Sequence, residues 1–97
     1  MTVIVDFSIF PIGKGESVSD YVSKAVKIIK ESGLTFKLGP MGTAIEGDWE
    51  EVMGVVSRCF EALKKDCRRI YMTIKVDYRV GESGRMEGKM KTVERKS

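Results

Sequence analysis

"TFKLGPMGTAIEGDWEE", Thr35–Glu51, is the stretch on which the fold turns. Thr35–Leu38 and Thr43–Glu46 read as two short strands, too close together to be joined by anything but a hairpin through "GPMG". Asp48 follows with Glu51 three residues on, a spacing that opens a helix. The middle of the chain is thereby committed to strand, turn, strand, helix, and the flanks must be read to agree with it.

Working toward the N-terminus, "TVIVDFSIF" (Thr2–Phe10) sets Val3, Val5, Phe7 and Ile9 on one parity and Thr2, Asp6 and Ser8 on the other, the period of a half-buried strand. Pro11, with no amide hydrogen for a ladder, ends it. "PIGKGES" is a glycine-containing loop, after which Ser17, with Asp20 three residues on, is placed to cap a helix. Val18, Tyr21, Val22, Ala25, Val26 and Ile29 then recur at three- and four-residue spacing, and Gly33 suits the left-handed residue that closes a helix.

Toward the C-terminus, the helix opened by Asp48 carries Trp49, Val52, Met53, Val56, Cys59, Phe60 and Leu63 as a wide apolar stripe. "RRIYMTIKVDYR" alternates Ile70, Met72, Ile74, Val76 and Tyr78 against Tyr71, Thr73, Lys75, Asp77 and Arg79, the clearest strand in the chain. Beyond "VGESG", Met86, Met90 and Val93 fall at helical spacing among many charges, so a short C-terminal helix over 84–96 is expected.

The order strand, helix, strand, strand, helix, strand, joined by right-handed crossovers, is the ferredoxin-like βαββαβ arrangement, an α+β class. Four antiparallel strands would carry two helices on one face. The opposite face, with Ile4, Phe10 and Tyr71 among Asp6, Ser8, Thr73 and Lys75, is left uncovered, and such a face more often packs on a second copy than lies wholly in water. At 97 residues the chain is one domain, 1–97, near the small end of what folds alone, which also favours shared burial in an oligomer.

Composition narrows the chemistry. The chain has no histidine, which removes the commonest proton shuttle and the commonest transition-metal ligand, so no metal site and no cofactor are expected. Two cysteines make no disulfide framework, and Cys59 sits on a helix stripe, so Cys59 and Cys67 are expected to be free buried thiols of a cytoplasmic protein. No apolar run is long enough to cross a bilayer, and nothing at the start marks secretion.

Of the net charge of +3, the whole excess falls in Arg79–Ser97, with six basic and three acidic residues against eleven of each before it. This is a charged tail rather than a basic face. RNA-recognition domains share the topology but stack bases on aromatic residues of the central strands, and Thr43–Glu46 has none. Nucleic acid is therefore not an expected partner.

The two glycines of "PIGKGES" could present free amides to an anion, although turn geometry is the first reading. Acylphosphatases share the fold and need an arginine in this loop, where the chain has only Lys14. Asp6, Glu46 and Asp77 are the strand carboxylates, better read as ion-pair partners than as catalysts. With no histidine beside a serine or cysteine, no nucleophile is activated and no enzyme is expected.

Taken together, "FPIGKGESVSDYV" (Phe10–Val22), "MGTAIEGDWEEVM" (Met41–Met53) and "IKVDYR" (Ile74–Arg79) resemble the thiamine-binding, YkoF-like family of small ferredoxin-like proteins, in its MTH-type and yeast-type branch. The resemblance spans nearly the whole chain. It implies a non-catalytic homo-oligomer, a tetramer assembled through its sheets, that binds thiamine or its hydroxymethylpyrimidine moiety. The positions it carries over are Thr43 and Glu46 with Met41 beside them, and Ser17 and Ser19 at the helix start.

A flat aminopyrimidine wants an apolar slot with one or two placed polar groups. Thr43 and Glu46 are three apart and point to opposite faces of a regular strand, so either a bulge re-aims one or only one touches the ligand. The alternative to a ligand-binding protein is a structural or regulatory interaction module with no small-molecule ligand.

Overall fold

The computed structural model of the protein describes residues 2–80. In chain order the elements are β1 (Thr2–Pro11), α1 (Val18–Glu31), β2 (Thr35–Leu38), β3 (Thr43–Gly47), α2 (Trp49–Lys64) and β4 (Ile70–Arg79), with one 3-10 turn, Gly15–Ser17, leading into α1. The expected helix over 84–96 lies outside the described residues. The strands form one antiparallel sheet in the order β2-β3-β1-β4, which is the ferredoxin-like α+β topology.

Each connection has a local cause. The hairpin closes where the Gly39 amide donates to the Gly42 carbonyl at 2.8 Å, leaving Pro40 and Met41 as a two-residue tip. Its glycines are there for close approach: a Cβ on Gly42 would stand 3.1 Å from both the Phe7 carbonyl oxygen and Asp6 Oδ1. Gly33, at φ +78, takes the left-handed step after α1. Just before it, the Ser32 hydroxyl donates to the Ile29 carbonyl at 2.6 Å.

Ser17 does not cap α1 with its side chain. It has helical backbone angles, and its amide already donates to the Lys14 carbonyl, so the 3-10 turn occupies the place where a capping residue would stand extended. Asp48 does stand extended at the start of α2, without a side-chain capping bond.

The core lies between the sheet and the two helices. Val3, Val5, Phe7 and Ile9 of β1 and Ile45 of β3 meet Ala25 and Ile29 of α1 and Val52, Val55, Val56, Cys59 and Leu63 of α2. Fully burying one such large side chain stabilises the fold by roughly 1.5–3 kcal/mol. Cys59 and Cys67 are free and buried, and the Cys59 thiol donates to the Ala25 carbonyl at 3.5 Å, bridging the helices. Burial pushes that thiol from the ordinary 9.0 up to about 11, an effect the nearby Arg58 charge opposes.

Two expectations about packing are corrected. Trp49 is exposed rather than part of the core stripe of α2, because it is the first residue of the helix and stands beyond the covered part of the sheet; Val55 is buried instead. The apolar parity of β4 is covered only near its start. Ile70 and Met72 pack on the core, whereas Ile74 (38% exposed), Val76 (45%) and Tyr78 (53%) do not. The helices pack chiefly on β1 and β3, and β4 is one of the two edge strands.

Candidate functional site

The site arises from a mismatch in strand length. β1 pairs with β4 from Thr2 opposite Arg79 to Pro11 opposite Ile70. On its other side it pairs with β3 only from Val3 to Phe7, where Phe7 lies opposite Thr43 and the hairpin turns away. Ser8–Pro11 therefore run past the end of β3 along a vacated edge.

The main chain along that edge is oriented by the ladder. Peptide groups of a strand point alternately to its two neighbours. The Ile12 amide, just past the strand, donates to the Arg69 carbonyl at 2.9 Å, so even-numbered positions of β1 turn toward β4. Odd-numbered positions turn toward β3. Phe7 is met there by Thr43, while Ile9 presents its N–H and C=O to the notch, and Pro11 has no N–H to present.

A crevice of about 500 Å³ fills this notch, within the span typical of small-ligand sites, roughly 300–1,000 Å³. Its floor is Phe7 and Ile9, its wall Val22, Ala25, Val26 and Ile29 of α1, and its rim the hairpin from Leu38 to Thr43. Because the sheet is interrupted here, the crevice reaches the outer face as well, where Ser8, Phe10, Tyr71 and Thr73 border it. The Ser8 and Thr73 hydroxyls share a hydrogen bond of 2.5 Å. The Phe10 and Tyr71 rings lie 5.5 Å apart between centroids, tilted by 31°. No charged side chain is among the lining residues.

Thr43 is 7% exposed, and among the described residues its hydroxyl has no hydrogen-bond partner. A buried hydroxyl left in that condition costs free energy unless something outside the chain satisfies it, and this one borders a cavity. Met41 also lines the crevice, as the exposed tip of the hairpin.

Glu46 is placed otherwise. The β1–β3 register is regular from Gly47 to Thr43 with no bulge, so Glu46 lies opposite Ile4 on the outer face of the sheet, buried, and not a free carboxylate. Ser17 and Ser19 are exposed at the start of α1, outside the lining of the crevice.

Three contributors were not singled out from the sequence: Val22 and Val26, taken there as core, the Ser8–Thr73 hydroxyl pair, and the main chain of Ile9. The signal for the last was present, since the first strand reads as much longer than the third.

The flanking loop supports turn geometry. Gly13 and Gly15 both have positive φ, +89 and +56, and Lys14 Nζ lies 5.7 Å from the centroid of the Tyr21 ring. Among the described residues no cluster of metal-ligating side chains occurs, and no helix is long and apolar enough to cross a membrane.

A ferredoxin-like sheet with an uncharged crevice beside its first helix describes a class of small domains. The comparisons place this chain within that class: a family model described as "Thiamine-binding protein" matches residues 5–94, and the chain belongs to that family. UPF0045 protein Mb1933 of Mycobacterium bovis is 45% identical over 98% of this chain and 94% of its own length. The crystal structure of the hypothetical protein MJ1052 of Methanocaldococcus jannaschii superposes with a TM-score of 0.87 at 33% identity, over 96% of each chain. A Thermotoga maritima protein, named for a candidate role in thiamine biosynthesis or salvage, has a TM-score of 0.83 over 95% of this chain and 99% of its own. At 24% identity that last likeness bears on the fold alone.

Proposed function

We propose that the protein is a non-catalytic, cytoplasmic binder of thiamine or its hydroxymethylpyrimidine moiety, working as a homo-oligomer. The observation that carries the reading is the Thr43 hydroxyl, buried and without a partner among the described residues, at the wall of an apolar crevice in a chain of the thiamine-binding family. An aminopyrimidine offers neighbouring donor and acceptor atoms on a flat apolar ring. The Thr43 hydroxyl can donate or accept, and the N–H and C=O of Ile9 present one donor and one acceptor on the same edge.

The lining also selects an end of the ligand. With no charged side chain in the crevice, the neutral pyrimidine is the half that enters and the thiazolium cation stays toward solvent, since burying an unpaired charge is costly. Glu46, on the other face, has no part in that contact. Met41, at the rim, closes over the ring, and Ser17 and Ser19, exposed at the start of α1, stay outside the lining.

Calorimetry with hydroxymethylpyrimidine and with thiamine tests this. Saturable binding of both is expected, with Thr43→Val weakening it by about tenfold or more, the value of one hydrogen bond. The same substitution should leave the fold as stable or slightly more so, because it removes an unsatisfied hydroxyl. Absence of heat and of any melting shift at millimolar ligand would leave the interaction module with no ligand as the better reading.

A further inference from the structure

We infer that the form of ligand this crevice prefers is a phosphate monoester of the aminopyrimidine alcohol, with the ring in the crevice and the phosphate on Lys27 and Lys30. The inference rests on the reading of the crevice above and deepens it by naming the chemical form of the ligand.

The crevice does not end at the wall that α1 gives it. Val22 and Val26 line it on one side, and on the other they line a second, open groove of about 300 Å³ together with Ser23, Lys27 and Lys30. The two valines are half-buried and form an apolar ridge between the hollows, whereas Ser23, Lys27 and Lys30 are exposed. Helical spacing accounts for the arrangement. Positions 23, 27 and 30 make one stripe of α1, next round the helix from 22 and 26. Side chains of a helix lean toward its N-terminus, which carries Lys30 back over Val26 and Lys27 back over Ser23.

The charges of the two hollows are one-sided. The crevice is lined by no charged side chain, and the groove beside it by two ammonium groups and no carboxylate. Glu31, four residues on from Lys27, holds it at 4.0 Å, with both side chains exposed. An exposed ion pair is worth little and yields readily to a phosphate. Lys30 has no ion-pair partner among the described residues.

A pyrimidine held by its amino edge at Thr43 and Ile9 carries its hydroxymethyl arm away from that edge. One way out is the outer face, bordered by the Ser8 and Thr73 hydroxyls and the rings of Phe10 and Tyr71; the other crosses the Val22–Val26 ridge to the lysines. A bare hydroxyl gains little from the second route. A phosphate monoester carries about −1.5 to −2 charge at pH 7, and its acceptor oxygens match ammonium groups that can only donate. The uncharged lining then takes the ring, while the charge stays at the wet margin where its desolvation costs least.

Calorimetry with hydroxymethylpyrimidine and with its phosphate monoester, read as the ratio of the two affinities, tests this. The monoester is expected to bind roughly tenfold tighter at low salt, the value of one hydrogen bond to a charged group. The advantage should shrink toward nothing at about 1 M salt, where the Debye length is ~3 Å. Lys27→Gln combined with Lys30→Gln should bring the ratio near one, and Lys27→Arg combined with Lys30→Arg should keep the preference. Lys24→Gln, which removes a charge from the same helix outside both hollows, should leave the ratio as it is.

Equal affinities of the wild type for the two ligands, or a preference that survives the loss of both lysines, would overturn the inference. The alcohol separates this failure from that of the crevice reading. Binding of the alcohol with no gain from the phosphate removes the lysine site and leaves the crevice standing, whereas a chain that binds neither ligand loses both.

Discussion

β1 and β4 run side by side in register over all ten of their residues, and both alternate apolar with polar side chains. Phe7 lies opposite Ile74, yet Phe7 is 2% exposed and Ile74 38%. The difference is position, not composition. β1 is second from the edge with both helices packed on it, and its apolar parity is the floor of the core. β4 has the same parity, and among the described residues only its start, Ile70 and Met72, packs on the core. Alternation tells which residues share a face; it does not tell what lies above them.

The contrast can be broken most directly at that pair. Phe7→Ala should cost about 3–5 kcal/mol in urea unfolding, as large core truncations do. Ile74→Ala should cost less than about 1 kcal/mol. Equal losses at the two positions would mean that β4 is as well covered as β1.

A smaller effect sharpens how dry the cover over β1 is. The Cys59 thiol has a folded value raised above the unfolded one, so the fold favours its protonated form. Its contribution is complete below about pH 9 and is lost as pH rises through about 11. The loss is on the order of 2 kcal/mol. Unfolding free energies of the wild type and of Cys59→Ala should therefore converge between pH 8 and pH 11; a constant gap would show that the thiol is wetter than its burial implies.

The smallest effect concerns the end of β1 that β3 leaves bare. Gly42→Ala would bring a methyl to 3.1 Å from the Phe7 carbonyl oxygen, so the hairpin must shift by a few tenths of an ångström. A cost of about 1 kcal/mol is expected, with weakened binding of hydroxymethylpyrimidine in calorimetry as the notch is re-shaped. Unaltered stability and binding would mean that the hairpin tip is slack.

Most of the fold was legible because its signals are local. The parity of Val3 to Ile9, the spacing along α1 and the crowding of two strands around "GPMG" left one element order, and one topology follows from it. What was not legible depended on three-dimensional extent. Trp49 fits the period of α2, but a residue in the first turn can project past the sheet. Ser17 has the right chemistry for a cap, and a 3-10 turn took its place.

The crevice was half visible. Thr43 and Met41 could be pointed to, and the parity argument correctly separated Thr43 from Glu46 by a face. Val22 and Val26 could not be told from core residues, because a pocket wall and a core stripe have the same helical spacing. Ile9 contributes through its peptide group, which side-chain identity does not mark and only the greater length of the first strand over the third could signal.

Phe10 and Tyr71 belong at once to the rim of the crevice and to the outer face of the sheet. A guest that rests on them and a neighbour that covers them would compete for, or jointly order, the same two rings. Occupancy and assembly then become thermodynamically linked, each altering the other by the same factor. The apparent affinity for a small molecule would drift with protein concentration, and its direction of drift would report whether the rings are shared or contested.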